Sequence, residues 1–226
     1  MTIFSRLTLA AAAALLAPLS VGAAPPASVP VTQADNGAML IGDPAAKMRL
    51  VEYISYTCPH CAAFTAEAHG ILVSDYAAPR KVAIEIRNLV RDPFDMTAAL
   101  LARCAGPRRF AGAHTAILAA QESWMNKARA ATPAQQKAWT GGPIESRLIA
   151  IGRGTGLTAL VGRHGVTPAA ASRCLSDKAA RDRLVAMTGG AKDLGVTGTP
   201  SFLLNGTLST AHDWAGLQPE LLAATR

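Results

Sequence analysis

Val51-Glu52-Tyr53-Ile54-Ser55-Tyr56-Thr57-Cys58-Pro59-His60-Cys61 runs an apolar, β-prone segment straight into a pair of cysteines. From Met48 to Tyr56 the chain passes through Leu50, Val51, Tyr53 and Ile54, the pattern of a buried central strand. Pro59 suits the first position of a helix and Gly70 a C-terminal cap, so a helix is predicted between them. Residues at i and i+3 share one face of a helix's first turn, so the sulfurs of Cys58 and Cys61 can reach bonding distance without distorting the backbone. Cys58 then stands at the positive end of the helix, where unpaired backbone N–H groups stabilise a thiolate, and this makes it the candidate nucleophile. Cys61, one turn inside, is the candidate resolving thiol. His60, when protonated, adds positive charge that favours the Cys58 thiolate further.

Other uses of paired cysteines fit less well. Structural zinc needs four ligands, commonly as two close pairs, whereas Cys104 and Cys174 stand alone and far apart. Haem attachment needs histidine directly after the second cysteine, and that position is Ala62. A structural disulfide in a non-catalytic binding module, such as a holdase, stays open, although a plain bridge has no use for a helix N-terminus beside it.

Further along, Val82, Ile84 and Ile86 alternate with Ala83, Glu85 and Arg87 and predict a second strand. Between Asp95 and Asp193 no convincing strand stands out, and roughly four to six helices fit. Thr132-Pro133 and Thr167-Pro168 each pair an N-cap with a proline at the first helical position, and Pro143 opens another apolar run. Gly106, Gly152 and Gly195 are the predicted stops. Ser201 to Leu204 and Thr207 to Thr210 flank Asn205-Gly206, which suits a type I′ hairpin turn because both residues tolerate positive φ. Leu217, Leu221 and Leu222 mark a closing amphipathic helix around Gln218 to Ala224.

The 226 residues are half apolar with few aromatics, material for one domain, or one enlarged by an insertion, and more suited to helices than to a sandwich of short strands. Residues 1–23 have the layout of a secretory signal: Arg6 in the n-region, Leu7 to Leu19 as the apolar core and Val21-Gly22-Ala23 at the cleavage positions. The apolar core is shorter than the ~20 residues of a membrane span, so cleavage after Ala23 or Ala24 is expected and not a retained anchor. Residues 24–47, rich in Pro, Ala and Gly, read as a linker with a short strand of their own around Ala38 to Ile41. The formal charge is +7, but no Lys/Arg cluster interleaves with aromatics, so a solvated basic surface is expected and no nucleic-acid partner. Export places the four cysteines where disulfides persist. His69, His114, His164 and His212 have no spacing that suggests a metal, and Trp124, Trp139 and Trp214 read as packing residues.

The run from Val51 to Cys61 resembles the active-site strand of periplasmic thiol:disulfide interchange proteins of the DsbA type, whose centre is also Cys-Pro-His-Cys. Gly195-Val196-Thr197-Gly198-Thr199-Pro200 resembles that family's second signature, Gly-Val-x-Gly-x-Pro, and the resemblance spans roughly Met48 to the C-terminus. It implies an α/β fold class, a thioredoxin-like fold with an inserted all-helical domain, divided here as residues 48–94, 95–193 and 194–226. It implies that Glu52 is a buried acid assisting proton transfer at the inner cysteine, that Pro200 is cis, and that Thr199 before it offers backbone groups to an extended substrate. The residues alone also allow a surface-facing Glu52 and a trans Pro200. Thr199 departs from the best-studied oxidases, which carry valine there; threonine is more usual in disulfide isomerases and in many DsbA relatives.

The implied activity is oxidation of unfolded or reduced exported proteins in the periplasm by the Cys58–Cys61 disulfide, with Pro59 and His60 in the redox centre and no other cofactor. An isomerase or reductase is the alternative. Reoxidation by a membrane quinone-linked enzyme is implied, with exposed apolar surface around Pro59, His60 and Pro200 to hold clients loosely. No room precedes the first strand for the dimerisation domain of isomerases resembling this family, so a monomer is expected. Some relatives carry a second bridge in the helical domain, which here would join Cys104 to Cys174 and contribute roughly 4 kcal/mol by closing a long loop. Two buried free thiols are the alternative.

Overall fold

In the computed structural model, which describes residues 29–226, two short strands, β1 (Val31–Gln33) and β2 (Met39–Ile41), precede the central strand β3 (Met48–Ile54). The secretory signal read over 1–23 lies outside the described residues. Helix α1 (Pro59–Ile71) follows with Cys58 as its N-cap, continues in π-helical form over Leu72–Ala77, and leads to β4 (Val82–Asn88). After a helical block, β5 (Ser201–Leu204) and β6 (Thr207–Leu208) form the hairpin, and α10 (Trp214–Ala224) closes the chain from an Asp213 cap. Asn205 and Gly206 take φ of 49° and 87°, the positive pair that a type I′ turn requires and an Asn-Gly dipeptide tolerates. The sheet order is β1-β2-β4-β3-β5-β6, with β3 and β4 parallel and the other pairs antiparallel. The stretch read as a linker therefore supplies one edge of the sheet.

Eight helices fill the block where roughly four to six were predicted. They are α2 (Pro93–Cys104), α3 (Pro107–Ala119), α4 (Gln121–Arg129), α5 (Pro133–Thr140), α6 (Ile144–Gly154), α7 (Leu157–Gly162), α8 (Pro168–Ser176) and α9 (Lys178–Asp193). Thr132 and Thr167 cap α5 and α8 as their sequence signature predicts. The undercount has a local cause: α4 and α7 start at Ala120 and Gly156 with no side-chain cap, so nothing in the sequence announces them. Gly152 lies inside α6 and ends nothing, whereas Gly106 and Gly195, with φ of 72° and 75°, do stand at helix boundaries.

Alternation along β3 divides the core in two. Leu50 and Ile54 face the large cluster that includes Cys61, Phe64 and Phe202, beneath α1. Val51 and Tyr53 face the opposite way and pack with Met187 and Ala191 of α9 and with Leu203. The last helix of the block thus covers the second face of the sheet, which leaves both faces of β3 buried and explains its near-continuous apolar run. Cys104 and Cys174 are bonded, S–S 2.04 Å, tying the C-terminal ends of α2 and α8. Trp124, Trp139 and Trp214 are all buried. Among the described residues, no helix is long and apolar enough to cross a membrane, and no three His, Cys, Asp or Glu side chains are grouped to hold a metal ion.

Candidate active site

The parallel β3–α1 unit brings Cys58 to the point where the strand ends and the helix begins. Cys58 and Cys61 are both free thiols and both buried, with Cys61 fully enclosed. The Cys61 thiol hydrogen-bonds the Cys58 sulfur, the Thr199 side chain lies beside it, and the backbone N–H groups of Cys61 and His60 point at it. Together these outweigh burial and bring Cys58 from an ordinary 9.0 down to about 4. The same thiol–thiol bond, reinforced by burial, pushes Cys61 the other way. Two sulfurs one helical turn apart are therefore electrostatically unlike. His60 meets the sulfur through its backbone, and its side chain, like Pro59, is exposed.

Across the cleft, the Thr199–Pro200 peptide is cis, and the Cys58 sulfur lies 3.2 Å from the Thr199 carbonyl, which accepts from it only when the thiol is protonated. Thr199 Oγ1 is buried with no hydrogen bond of good geometry, so it acts on the sulfurs as a nearby dipole. Pro200 itself is buried, unlike Pro59 and His60: the chain enters β5 immediately after it, and His212 Nδ1–H donates to its carbonyl at 3.0 Å. Thr197 and Gly198, just before it in the chain, and His212 are exposed, and Leu194 and Leu208 are exposed apolar side chains near Gly195 at the start of this segment. Glu52 is 2% exposed, on the α1 face of β3 and not at the surface. Its Oε1 has no partner, and burial alone pushes its carboxyl up to about 8.

A polar frame holds the segment between β3 and Cys58, and the sequence reading missed it. Asp95, in the first turn of α2 and fully buried, accepts from Ser55 Oγ at 2.5 Å, Tyr56 N–H at 2.8 Å and Arg91 N–H at 3.1 Å. Burial outweighs these bonds and raises Asp95 to about 6. Arg91 donates to Ser55 Oγ and Thr57 Oγ1 at 3.0 and 3.1 Å, and Thr57 donates to Asp92, the α2 cap. From the other side, Gln121 Nε2 donates to the carbonyls of Tyr56 and Cys58 at 2.8 and 2.9 Å. The Tyr56 hydroxyl meets His114 Nδ1 at 2.9 Å. Asp92-Pro93 carries a visible cap signature, but no local signal links Gln121 or His114 to residues some sixty positions away.

Residues 34–221 match the protein-family model described as Thioredoxin. A Rickettsia typhi protein named "Putative protein-disulfide oxidoreductase" is 31% identical over 176 residues, 76% of this chain and 56% of that protein. A Rickettsia bellii protein of the same name is 32% identical over 176 residues, 76% of this chain and 58% of its own length. The chain thus spans little more than half the length of these relatives. The crystal structure of protein-disulfide isomerase from Novosphingobium aromaticivorans superposes with a TM-score of 0.78 at 42% identity, covering 84% of this chain and 98% of that one. Wolbachia pipientis alpha-DsbA1 shares the fold, with a TM-score of 0.64 at 21% identity, covering 82% of this chain and 89% of that one. The chain belongs to the thioredoxin family, and its fold is the DsbA-type form of it, a thioredoxin-like sheet carrying a helical insertion.

Proposed function

We propose that this chain is an exported thiol:disulfide oxidoreductase whose Cys58–Cys61 disulfide oxidises dithiols in newly translocated proteins. The observation that carries the reading is the asymmetry of the two sulfurs, one depressed to about 4 at a helix N-terminus and the other raised and enclosed behind it. A client thiolate attacks Cys58 Sγ, the Cys58–Cys61 bond breaks, and Cys61 leaves as a thiolate that takes a proton. Glu52 is mainly neutral at pH 7 and is the acid to supply that proton. A second client thiolate then attacks the client sulfur of the mixed disulfide and releases Cys58 as a thiolate. The client loses two electrons and two protons; the protein gains the two electrons and one proton, and the other proton goes to solvent. Electrons then pass to a membrane quinone-linked reoxidase in the periplasm, with the protein acting as a monomer and with no cofactor beyond the cysteine pair. Thr199, at the cis peptide, presents its backbone to the extended client. Refolding a reduced multi-disulfide client with catalytic amounts of the oxidised protein tests this: acceleration over air oxidation is expected, and none would reject it.

A second reading, an isomerase or reductase kept in the dithiol state, is favoured by Thr199 and by the 42% identity to the Novosphingobium protein-disulfide isomerase. Under that reading the dithiol protein rearranges a client with scrambled disulfides faster than the disulfide form oxidises a reduced one.

A further inference from the structure

Charge is divided unevenly along the chain. The helical insertion, residues 95–193, holds fourteen Lys and Arg against six Asp and Glu, a formal net charge of +8. The rest of the described chain holds seven against nine, a net −2. Ion pairing does little to offset the excess. Among the described residues the insertion contains one pair, Lys178–Asp182, and the other three pairs lie outside it. Three of its exposed cations meet on one side. A groove of about 290 Å³ runs between α4 and α7, with Trp124, Lys127, Leu160 and Arg163 in its lining and no Asp or Glu. The Lys127 ammonium lies over Gly156, where a β-carbon would come within 3.0 Å of Nζ. Arg109 of α3 lies against Gly165, two residues past Arg163. Glu122, the one acid of α4, stands about 140° around that helix from Lys127, at roughly 100° per residue. The groove also adjoins the redox centre. Ala120 and Ser123 of its lining bracket Gln121, whose amide holds the Cys58 carbonyl at 2.9 Å, and Lys127 stands about 9 Å further along α4.

We propose that this groove docks acidic segments of client proteins, so that the helical insertion selects among reduced chains for those with Asp or Glu near the reacting cysteine. The proposal rests on the oxidoreductase reading and names its substrate class. An extended chain advances about 3.3 Å per residue, so a client engaged at Cys58 meets Lys127 with a side chain roughly three to five residues from its own cysteine. Lys127 and Arg163 have no carboxylate of their own, and each gains one from the client without breaking an internal pair. The net charge of the insertion draws such a segment in before contact, and the attraction weakens as salt shortens the Debye length. A cleft between two helices beside the cysteines admits a chain, whereas a bilayer surface would need an exposed, convex basic face.

The test is stopped-flow disulfide transfer from the oxidised protein to three reduced dithiol peptides that differ only in Glu, Gln or Lys placed three to five residues from the cysteines. At low salt the Glu peptide should react at least about tenfold faster than the Lys peptide, and the advantage should shrink at about 0.5 M salt. Lys127→Glu/Arg163→Glu should remove the preference. Lys137→Glu/Arg173→Glu changes the net charge equally on exposed residues outside the groove and should keep it. Equal rates for the three peptides would overturn the proposal, as would an equal loss of preference in both double variants. A form of the Glu peptide with serine in place of cysteine reads the groove without chemistry: its binding, followed by fluorescence anisotropy, should be at least about tenfold weaker in Lys127→Glu/Arg163→Glu, and unchanged binding would overturn the proposal. Should that variant instead lose only attachment to phosphatidylglycerol vesicles while the peptide preference stays, the groove faces a membrane and the proposal falls. Wild-type protein that binds the serine peptide but transfers no disulfide to any of the three would remove the oxidoreductase reading and leave the groove.

Discussion

Replacing Cys58 with alanine in the dithiol form should remove a block of stability that grows with pH. In the folded chain Cys58 sits at about 4, against an ordinary 9.0 in an unfolded one. A depressed acid stabilises the fold above its unfolded pKa, and that stabilisation fades as pH falls toward the folded value. Between pH 4.5 and 7.5 the unfolded thiol stays protonated while the folded one is ionised, so each unit adds about 1.4 kcal/mol and three units add about 4 kcal/mol. The cleft opens to solvent past exposed Pro59 and His60, and screening brings this nearer to about 2 kcal/mol. For a domain of this size that is a gain of about 4–8 °C in Tm relative to Cys58→Ala. The assay is thermal unfolding of both proteins at the two pH values with the Cys104–Cys174 bridge left intact. Stability differences that stay parallel from pH 4.5 to 7.5 would refute the depressed thiol and the electrostatics derived from it. The active-site disulfide gains about 2 kcal/mol from closing its four-residue loop, close to the thiolate contribution, so the dithiol form should overtake the disulfide form as pH rises through neutrality.

Glu52 titrates with the opposite sign: raised to about 8, it supports the fold at low pH and loses that support as pH rises toward 8. Glu52→Gln should therefore gain stability at pH 7 relative to its effect at pH 4, by about 3 kcal/mol, measurable by urea unfolding; a pH-independent difference would place the carboxyl in water. Cys61→Ser should accumulate mixed disulfides with clients on non-reducing gels and Cys58→Ser none, and equal trapping would reverse the roles assigned to the two sulfurs. Gln121→Leu leaves the buried Tyr56 and Cys58 carbonyls without their amide donor and should cost about 2 kcal/mol in chemical denaturation, whereas a loss below 0.5 kcal/mol, on the order of a surface change, would mean that water takes the amide's place.

The stretch from Val51 to Cys61 was enough to predict the strand, the helix and the redox pair, because each rests on neighbours within one turn or one strand. Caps at Thr132 and Thr167 and the Asn205-Gly206 turn were legible for the same reason: their hydrogen bonds and dihedrals are local. Strand β1 escaped notice because three residues, Val31 to Gln33, carry no periodicity, and only pairing with β2 makes them a strand. Burial of Glu52 was implied by resemblance but fixed only when Phe202 and α1 closed over its face of the sheet. The joining of Cys104 to Cys174 needed α2 and α8 to bring their ends together across 70 residues. Asp95, Gln121 and His114 were invisible as parts of the site because their partners lie 39 to 65 positions away along the chain. A sequence specifies which side chains can donate, accept or titrate. Which of them lose water and meet one another is decided by packing between elements, and that packing sets Cys58, Cys61 and Glu52 at such different proton affinities.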